Sequence, residues 1–438
     1  MMDQSKFDKI SSDLLNPIRL NKSFLLWMGF LGVSLIICLG AYVIQLKEGL
    51  VVTGLRDYIS WGMYISNFVF FVATSLVGML ISAVLGLTGI KWAAPLARIA
   101  EIIALAFAAV AGLIIISDMG RPDRLINVII HGRVQSPILW DITVVTMYVA
   151  ISALFLYIPL IPDFKICHDK IDKIPKFQRN IYKILSLNWN GSMEQKKIIK
   201  QTTRTLSILI IPVALAIHTV TSWLFASTSR VGWDSTIFGP YFVTGAFVTG
   251  SAAVIIAMYF YRRNFKLQNY ITDLHFDKMG KLLVLVSLVY LYFNLNEYMV
   301  PGYKMKKLDA MHLNALFVGS HAVLFWSVQI FGLILPVILL LFKKMRTPVP
   351  MLIISIFVFV GAWFKRYIIV VPTQEHPFLP IQNVPPEFKI YSPTLIETLI
   401  SIAPFILVLI IITVLSKVIP IIPIHETIEQ LEETKQNN

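Results

Sequence analysis

The sequence predicts an all-α polytopic membrane protein with about ten transmembrane helices. Its 438 residues are 56% hydrophobic and only 14% charged, a composition typical of a chain that lies mostly in lipid. A helix needs roughly 20 apolar residues to cross a bilayer. Ten stretches are long enough, near 24–45, 61–86, 96–117, 138–161, 205–227, 238–261, 281–300, 318–342, 349–371 and 396–423.

The stretches divide the chain into a membrane domain and two polar ends. Residues 1–23 lack the apolar core and cleavage site of a secretory signal, so we expect a cytoplasmic N-terminal segment, then a membrane domain over 24–423 and a cytoplasmic tail over 424–438. Three residues of the second stretch recur in the sixth at an offset of 177: Gly62, Tyr64 and Phe70 match Gly239, Tyr241 and Phe247. This repeat predicts two related four-helix bundles, about 61–227 and 238–371, flanked by helices 24–45 and 396–423.

The distribution of positive charge predicts the orientation. Of the 38 Lys and Arg residues, 26 fall at the two ends and in the even-numbered loops, and 12 fall in the odd-numbered loops. The positive-inside rule then places both termini in the cytoplasm of a bacterial or archaeal cell. The net charge of +13 therefore indicates contact with anionic lipid rather than nucleic acid.

Several cofactor classes are excluded by the residues present. Cys38 and Cys167 form no C-x-x-C pair, so we expect no iron–sulfur cluster and no covalently attached haem in this chain. There is no glycine-rich phosphate loop. His218 and His321 leave a b-type haem open as an alternative, although single histidines on separate helices more often serve packing. We expect no metal site.

The most unusual segment is the connector 117–141, which holds several charges at a membrane boundary on the predicted outer side. Asp118 ends helix three and Asp141 opens helix four, so the two carboxylates could face one another and exchange protons, with Arg121 beside them. We therefore predict Asp118, Asp141 and Arg121 as catalytic residues. The alternative is structural: Asp118 pairs with Arg121 or Arg124, and Asp141 caps helix four.

Aromatic and amide residues near the same boundary predict a binding pocket. Tyr64 and Asn67 lie three residues apart on helix two, and Trp61 lies one turn above Tyr64. A pocket formed by Trp61, Tyr64, Asn67 and Trp140 with the two carboxylates would suit an aromatic diketone. The alternative for Trp61 and Tyr64 is an interfacial aromatic belt.

Other ionisable residues lie within the apolar stretches. Arg98 and Glu101 are one turn apart, and their spacing predicts a structural ion pair. A hypothetical proton path would use Arg98, Glu101, Asn294, Glu297 and His321. Lys365 and Arg366 fit interfacial snorkelling, whereas Glu397 could join a proton route.

Five motifs together resemble the NrfD/PsrC family, the membrane subunits of polysulfide reductase. They are Trp61-Gly-x-Tyr64-x-x-Asn67-Phe, Asp118-x-Gly120-Arg121-Pro122, Ser136-Pro137-x-x-Trp140-Asp141, Gly232-Trp-x-Ser235-Thr-Ile-Phe238-x-Pro240-Tyr241-Phe and Arg366-Tyr-Ile-Ile-Val-Val-Pro372-Thr. The ten-helix length and the fourth motif are similar to the long branch, which includes the membrane subunits of alternative complex III and of Hme/Dsr-type complexes.

The resemblance implies a haem-free subunit that binds menaquinone or ubiquinone near the outer surface. It implies electron exchange with a ferredoxin-like iron–sulfur subunit on the periplasmic side, alongside molybdopterin-type and cytochrome c subunits. By position, Tyr64 and Asn67 would line the quinone pocket, and Asp118, Arg121 and Asp141 would bind the quinone head or couple it to protons. Such a chain would not be active alone.

Two other functional classes share the length and hydropathy of this chain. A secondary transporter would place its unusual residues near the bilayer midplane, whereas here they gather at one surface. A purely structural anchor of a redox complex would share every feature except the pocket.

Overall fold

A computed structural model describes residues 13–18, 21–88, 92, 94–171, 175–228, 230–377 and 382–427. Within these ranges the protein is all-helical, and ten helices are long and apolar enough to span a membrane, as the sequence predicts. Most of the predicted N-terminal segment and C-terminal tail lies outside the described residues. The ten helices are α1 Lys22–Glu48, α2 Met63–Thr88, α3 Ala94–Asp118, α4 Pro137–Lys170, α5 Met193–Ala226, α6 Phe238–Asn264, α7 Asp273–Lys304, α8 Ala322–Leu341, α9 Pro348–Gln374 and α10 Leu395–Val418.

Capping residues outside the apolar stretches explain why some helices are longer than predicted. α5 begins after Ser192, whose side chain accepts a hydrogen bond from the backbone of Gln195. α7 begins with a reciprocal capping box between Thr272 and His275. Such caps satisfy the free N–H groups of a first turn, so the helix extends beyond the hydrocarbon length.

α2 and α6 form the centre of the membrane domain. α2 packs against α3, α5 and α6, and α6 packs against α7 and α9. The most apolar part of α2 is 88% buried inside the protein, whereas that of α1 is only 17% buried. α1 pairs with α10, and α10 rests on α3. α1 and α10 are therefore largely exposed to lipid, and α2 has little contact with it.

Small residues set the closest contact, between α2 and α3. A Cβ at Gly78 would lie 1.9 Å from the carbonyl oxygen of Ala100, so a larger residue there would force the two backbones apart. Close backbone approach gives dispersion contacts that must replace the hydrophobic effect inside a bilayer. Short helical segments occupy the loops, including Asn127–Ile130 between α3 and α4 and Lys307–Phe317 between α7 and α8.

Candidate functional site

Tyr64 joins three helices at the predicted outer end of the membrane domain. Its side chain is 1% exposed, and its hydroxyl donates to Oε1 of Gln45 on α1 over 2.6 Å. The Gln45 amide in turn donates to the carbonyl of Ser117 on α3 over 2.7 Å. Because its own proton is held by Gln45, the Tyr64 oxygen has lone pairs left to accept a further hydrogen bond.

Asp118 is the last residue of α3. Its Oδ1 is buried and accepts no hydrogen bond from the described residues. The predicted alternative, an ion pair with Arg121 or Arg124, is wrong: Arg121 pairs with Asp123 over 2.9 Å in solvent. Arg121 is therefore turned away from the other predicted catalytic residues.

Glu397 completes the group from α10. It is fully buried, and Oε2 accepts from the backbone N–H of Gly54 over 2.8 Å. Its Oε1 accepts from the Tyr391 hydroxyl, which itself accepts the backbone N–H of Met63 over 2.9 Å. Burial, and then the Glu397 carboxylate, raise the pKa of Tyr391, so this phenol stays a donor at neutral pH.

These residues form one acidic group at the ends of four helices. The carboxylates of Asp118 and Glu397 are near enough to the Tyr64 hydroxyl to interact with it electrostatically. We call Gln45, Tyr64, Asp118, Tyr391 and Glu397 the acid–tyrosine cluster. Gln45 and Tyr391 were not predicted. Gln45 could have been predicted, because it is a single amide in an apolar helix, but nothing in the sequence singled out Tyr391.

Asp141 and Trp140 lie apart from this cluster. Asp141 is buried, and its Oδ1 accepts from the Thr221 hydroxyl on α5 over 2.6 Å. The alternative that Asp141 caps the helix is wrong, because α4 begins at Pro137 and Ser136 holds the cap position. Trp140 is half-exposed, and its indole donates to the carbonyl of Val134.

Trp61 and Asn67 are engaged in packing between helices. The Trp61 ring stacks on Trp233 with centroids 5.6 Å apart. Asn67 is fully buried, its amide nitrogen donates to the Ser401 carbonyl over 2.9 Å, and its oxygen accepts from the Trp363 indole over 2.6 Å. Asn67 thus ties α2 to α10 and α9.

The ion pair predicted between Arg98 and Glu101 does not form. Arg98 pairs with Asp163 of α4, and Glu101 accepts a hydrogen bond from Ser82 of α2. Asp163 also accepts the backbone N–H of His425 over 3.0 Å. Residue spacing along α3 could not reveal Asp163, because that partner is supplied by tertiary packing. This group lies at the opposite end of the membrane domain from the acid–tyrosine cluster.

A second polar network runs through α6–α9. The hydroxyl of Tyr290 donates to that of Tyr241 over 3.3 Å, Tyr241 donates to Oδ1 of Asn294 over 3.2 Å, and the Asn294 amide donates to Oε1 of Gln329 over 2.8 Å. Lys365 donates to the Tyr298 hydroxyl over 2.5 Å. Both Lys365 and its neighbour Arg366 are buried, so the interfacial snorkelling predicted for these two bases is wrong.

Two small cavities adjoin this network. The loop-side cavity, of about 30 Å³, is lined by Tyr241, Glu297, Tyr298 and His312 among others. The deep cavity, of about 20 Å³, is lined by Asn294, Gln329, Lys365 and Arg366 among others. Cavities of this size hold one or two waters or a small ion.

Histidines gather beside the loop-side cavity. His321 contacts Oε2 of Glu375 over 2.9 Å, and the His312 and His376 rings are 6.0 Å apart. Burial, with smaller contributions from His376 and His321, lowers the pKa of His312 to about 4. His218 contacts the carbonyl of Ala214 in its own helix. Among the described residues, no group of three or more His, Cys, Asp or Glu side chains is placed to hold a metal ion.

Comparison with known proteins gives a family and several relatives. The family described as "Polysulphide reductase, NrfD" matches residues 51–377. A putative membrane subunit of a dimethyl sulfoxide reductase of Halobacterium salinarum is 31% identical over 231 residues, 52% of this chain and 50% of that protein. A selenate reductase subunit of Mesobacillus selenatarsenatis is 23% identical over 89% of this chain and 92% of its own length.

A third relative is the Hdr-like menaquinol oxidoreductase integral membrane subunit of Archaeoglobus fulgidus. It is 23% identical, and the alignment covers 90% of this chain and 92% of that protein. The alignment with the halobacterial relative spans only about half of that protein's length.

Proposed function

The chain belongs to the NrfD polysulphide reductase family, and on that premise we propose that it is the quinol-reactive membrane subunit of a respiratory oxidoreductase complex. Electrons would pass between menaquinol, or ubiquinol, and an iron–sulfur subunit at the predicted outer side. The names of the relatives support this proposal, since they describe a dimethyl sulfoxide reductase membrane subunit, a selenate reductase subunit and the integral membrane subunit of a menaquinol oxidoreductase.

The observation that carries the proposal is the free acceptor oxygen of Asp118 beside Tyr64. Both the Asp118 Oδ1 and the Tyr64 oxygen can accept a hydrogen bond, because the first has no partner among the described residues and the proton of the second is held by Gln45. A quinol presents two hydroxyl donors, whereas a quinone presents two carbonyl acceptors. The acid–tyrosine cluster therefore suits the quinol form.

We assign the steps to these residues as follows. Tyr64 orients one hydroxyl of the head group, and Asp118 takes a proton from it as electrons leave. Glu397 is held by Gly54 and Tyr391, and its negative charge would make the nearby carboxylate of Asp118 a stronger proton acceptor. Arg121 is left out of the contact set because it pairs with Asp123 in solvent.

The other predicted residues keep smaller roles in the proposal. Trp61 and Asn67 would position α2 against its neighbours, and Asp141, which lies apart from the cluster, would join α4 to α5. These assignments follow from their contacts with Trp233, Ser401 and Thr221.

A partner is needed to take the electrons. The two cysteines of the chain, Cys38 and Cys167, are both free and buried, so we propose that the iron–sulfur centre belongs to a ferredoxin-like partner, with molybdopterin-type and cytochrome c subunits beyond it. The loop after Asp118 offers a docking face, because Ile126, Ile129 and Ile130 are 55%, 69% and 64% exposed.

The test is steady-state quinol oxidation by the purified complex. We expect Asp118→Asn to lower the turnover rate about 10²-fold or more, since it removes the proton acceptor. Asp123→Asn is the matched control, an exposed carboxylate on the same loop, and should leave the rate within about twofold. Normal turnover in an assembled Asp118→Asn complex would instead support a structural anchor.

Proton movement across the membrane is a separate part of the proposal. Glu297 lines the loop-side cavity, and its Oε2 has no hydrogen-bond partner in the described structure. We place a proton exit at Glu297, Asn294 and His321, and omit Arg98 and Glu101, which lie at the other end. Glu297→Gln should lower the protons released per electron by proteoliposomes without slowing quinol oxidation. An unchanged ratio would remove Glu297 from the path.

A further inference from the structure

The deep cavity between α6, α7, α8 and α9 contains unsatisfied hydrogen-bond donors. Three buried polar atoms of its lining residues have no partner among the described residues: Nε and Nη1 of Arg366 and Nε2 of Gln329. All three are nitrogen atoms that can act only as hydrogen-bond donors. Unpaired buried donors are costly, and native proteins rarely leave several at one place.

The orientation of the Gln329 amide follows from its neighbours. Tyr241 donates to Oδ1 of Asn294, so the Asn294 nitrogen is left to donate to Oε1 of Gln329. That bond fixes the Gln329 oxygen on Asn294 and directs its NH₂ elsewhere. The free group of Gln329 is therefore a donor.

Arg366 is a buried cation of α9. It is 2% exposed, and no described carboxylate lies within 4.0 Å of its guanidinium. Its nearest charged neighbour along the helix is Lys365, another cation, and its guanidinium lies 5.3 Å from the Phe242 ring centroid. Glu297 of α7 lines the loop-side cavity and not the deep cavity. A guanidinium within a bilayer normally has a partner.

Glycines and a π-helical turn surround the deep cavity. Gly245 on α6 faces the guanidinium, where a Cβ would lie 2.8 Å from Nη2 of Arg366. α8 contains a π-helical turn at Ile330–Ile334, and its Gly332 packs directly on Gly361 of α9. π-Helical turns often occur at functional sites.

We propose that the deep cavity binds one small monovalent anion of the size of chloride. Arg366 supplies the charge and one donor, and Gln329 supplies the second donor. The volume of about 20 Å³ admits one such ion and excludes a quinone head group. This site is separate from the acid–tyrosine cluster, and a bound anion would neutralise the charge of Arg366, which is buried inside the protein.

The test uses thermal unfolding of the purified complex without quinol. Chloride is varied at constant ionic strength against gluconate, which is too large for the cavity. The midpoint should rise by about 2 °C for each tenfold increase in chloride above the dissociation constant. Gln329→Leu removes one donor and should weaken the apparent chloride affinity about tenfold, as expected for one lost hydrogen bond to an ion.

Ser355→Ala is the matched control. Ser355 is a fully buried residue of α9 whose hydroxyl also lacks a partner in the described part of the chain, but it does not line the deep cavity. Its chloride dependence should equal that of the unaltered complex. Bromide density between Arg366 and Gln329 in a structure of the complex would support the proposal. A midpoint independent of chloride, or water alone in the cavity at high bromide, would overturn it. All of these measurements are made without quinol, so their outcome does not depend on the quinol site.

Discussion

Replacing Tyr64 by phenylalanine separates the structural from the catalytic role of the acid–tyrosine cluster. The substitution removes the hydroxyl that donates to Oε1 of Gln45 over 2.6 Å, at a place where both side chains are buried. It leaves the Gln45 oxygen without a donor, which costs about 1–3 kcal/mol of stability.

The substitution also removes the acceptor proposed for one quinol hydroxyl. One lost hydrogen bond of about 1.4 kcal/mol corresponds to roughly a tenfold rise in KM for quinol. The assay is quinol oxidation by the purified complex across quinol concentrations, together with its thermal midpoint.

Tyr148→Phe provides the matched control. Tyr148 is fully buried, and its hydroxyl donates to the Ser75 carbonyl over 2.7 Å, away from the cluster. It should lose similar stability and keep its KM. The reasoning is refuted if the KM of Tyr64→Phe is no higher than that of Tyr148→Phe, because the Tyr64 hydroxyl would then serve packing alone.

Three other predictions concern separate parts of the chain. Asp163→Asn removes the carboxylate that pairs directly with the buried guanidinium of Arg98, so we expect about 3–5 kcal/mol of destabilisation, measured by denaturant titration; a loss under 1 kcal/mol would contradict this. Because burial lowers the pKa of His312 from 6.5 to about 4, its contribution to stability is complete above pH 6.5 and is lost as the pH falls towards 4. This amounts to about 3 kcal/mol, and His312→Gln should flatten the decline of the thermal midpoint over that range; an equally steep decline would argue against the buried neutral ring. Ile129→Asp places a charge on the exposed loop face and should weaken co-purification of the iron–sulfur partner; full retention would place the docking surface elsewhere.

The membrane helices could be predicted because apolar length alone decides whether a segment crosses a bilayer. Their ends were less accurate where caps lie in polar sequence, as at Ser192 and Thr272. The two-bundle repeat stays a prediction, although Tyr64 and Tyr241, which it matches, each hydrogen-bond to a buried amide.

The candidate site was only partly visible in the sequence. Tyr64 and Asp118 could be predicted because a polar group near the hydrocarbon is costly unless it pairs or serves a function. Tyr391 and its bond to Glu397 could not be predicted, since an irregular loop brings them to the start of α2. The spacing of Arg98 and Glu101 along α3 predicted an ion pair between them, which was wrong because the partner of Arg98 comes from α4.

Photolabelling of the purified complex with an azido-quinone tests the central claim most directly. We predict that the label attaches to peptides around Tyr64 and Asp118, that excess quinol prevents it, and that Asp118→Asn reduces it while Asp123→Asn does not. Labelling confined to peptides of α6–α9, or equal labelling of both variants, would contradict a quinol site at the acid–tyrosine cluster.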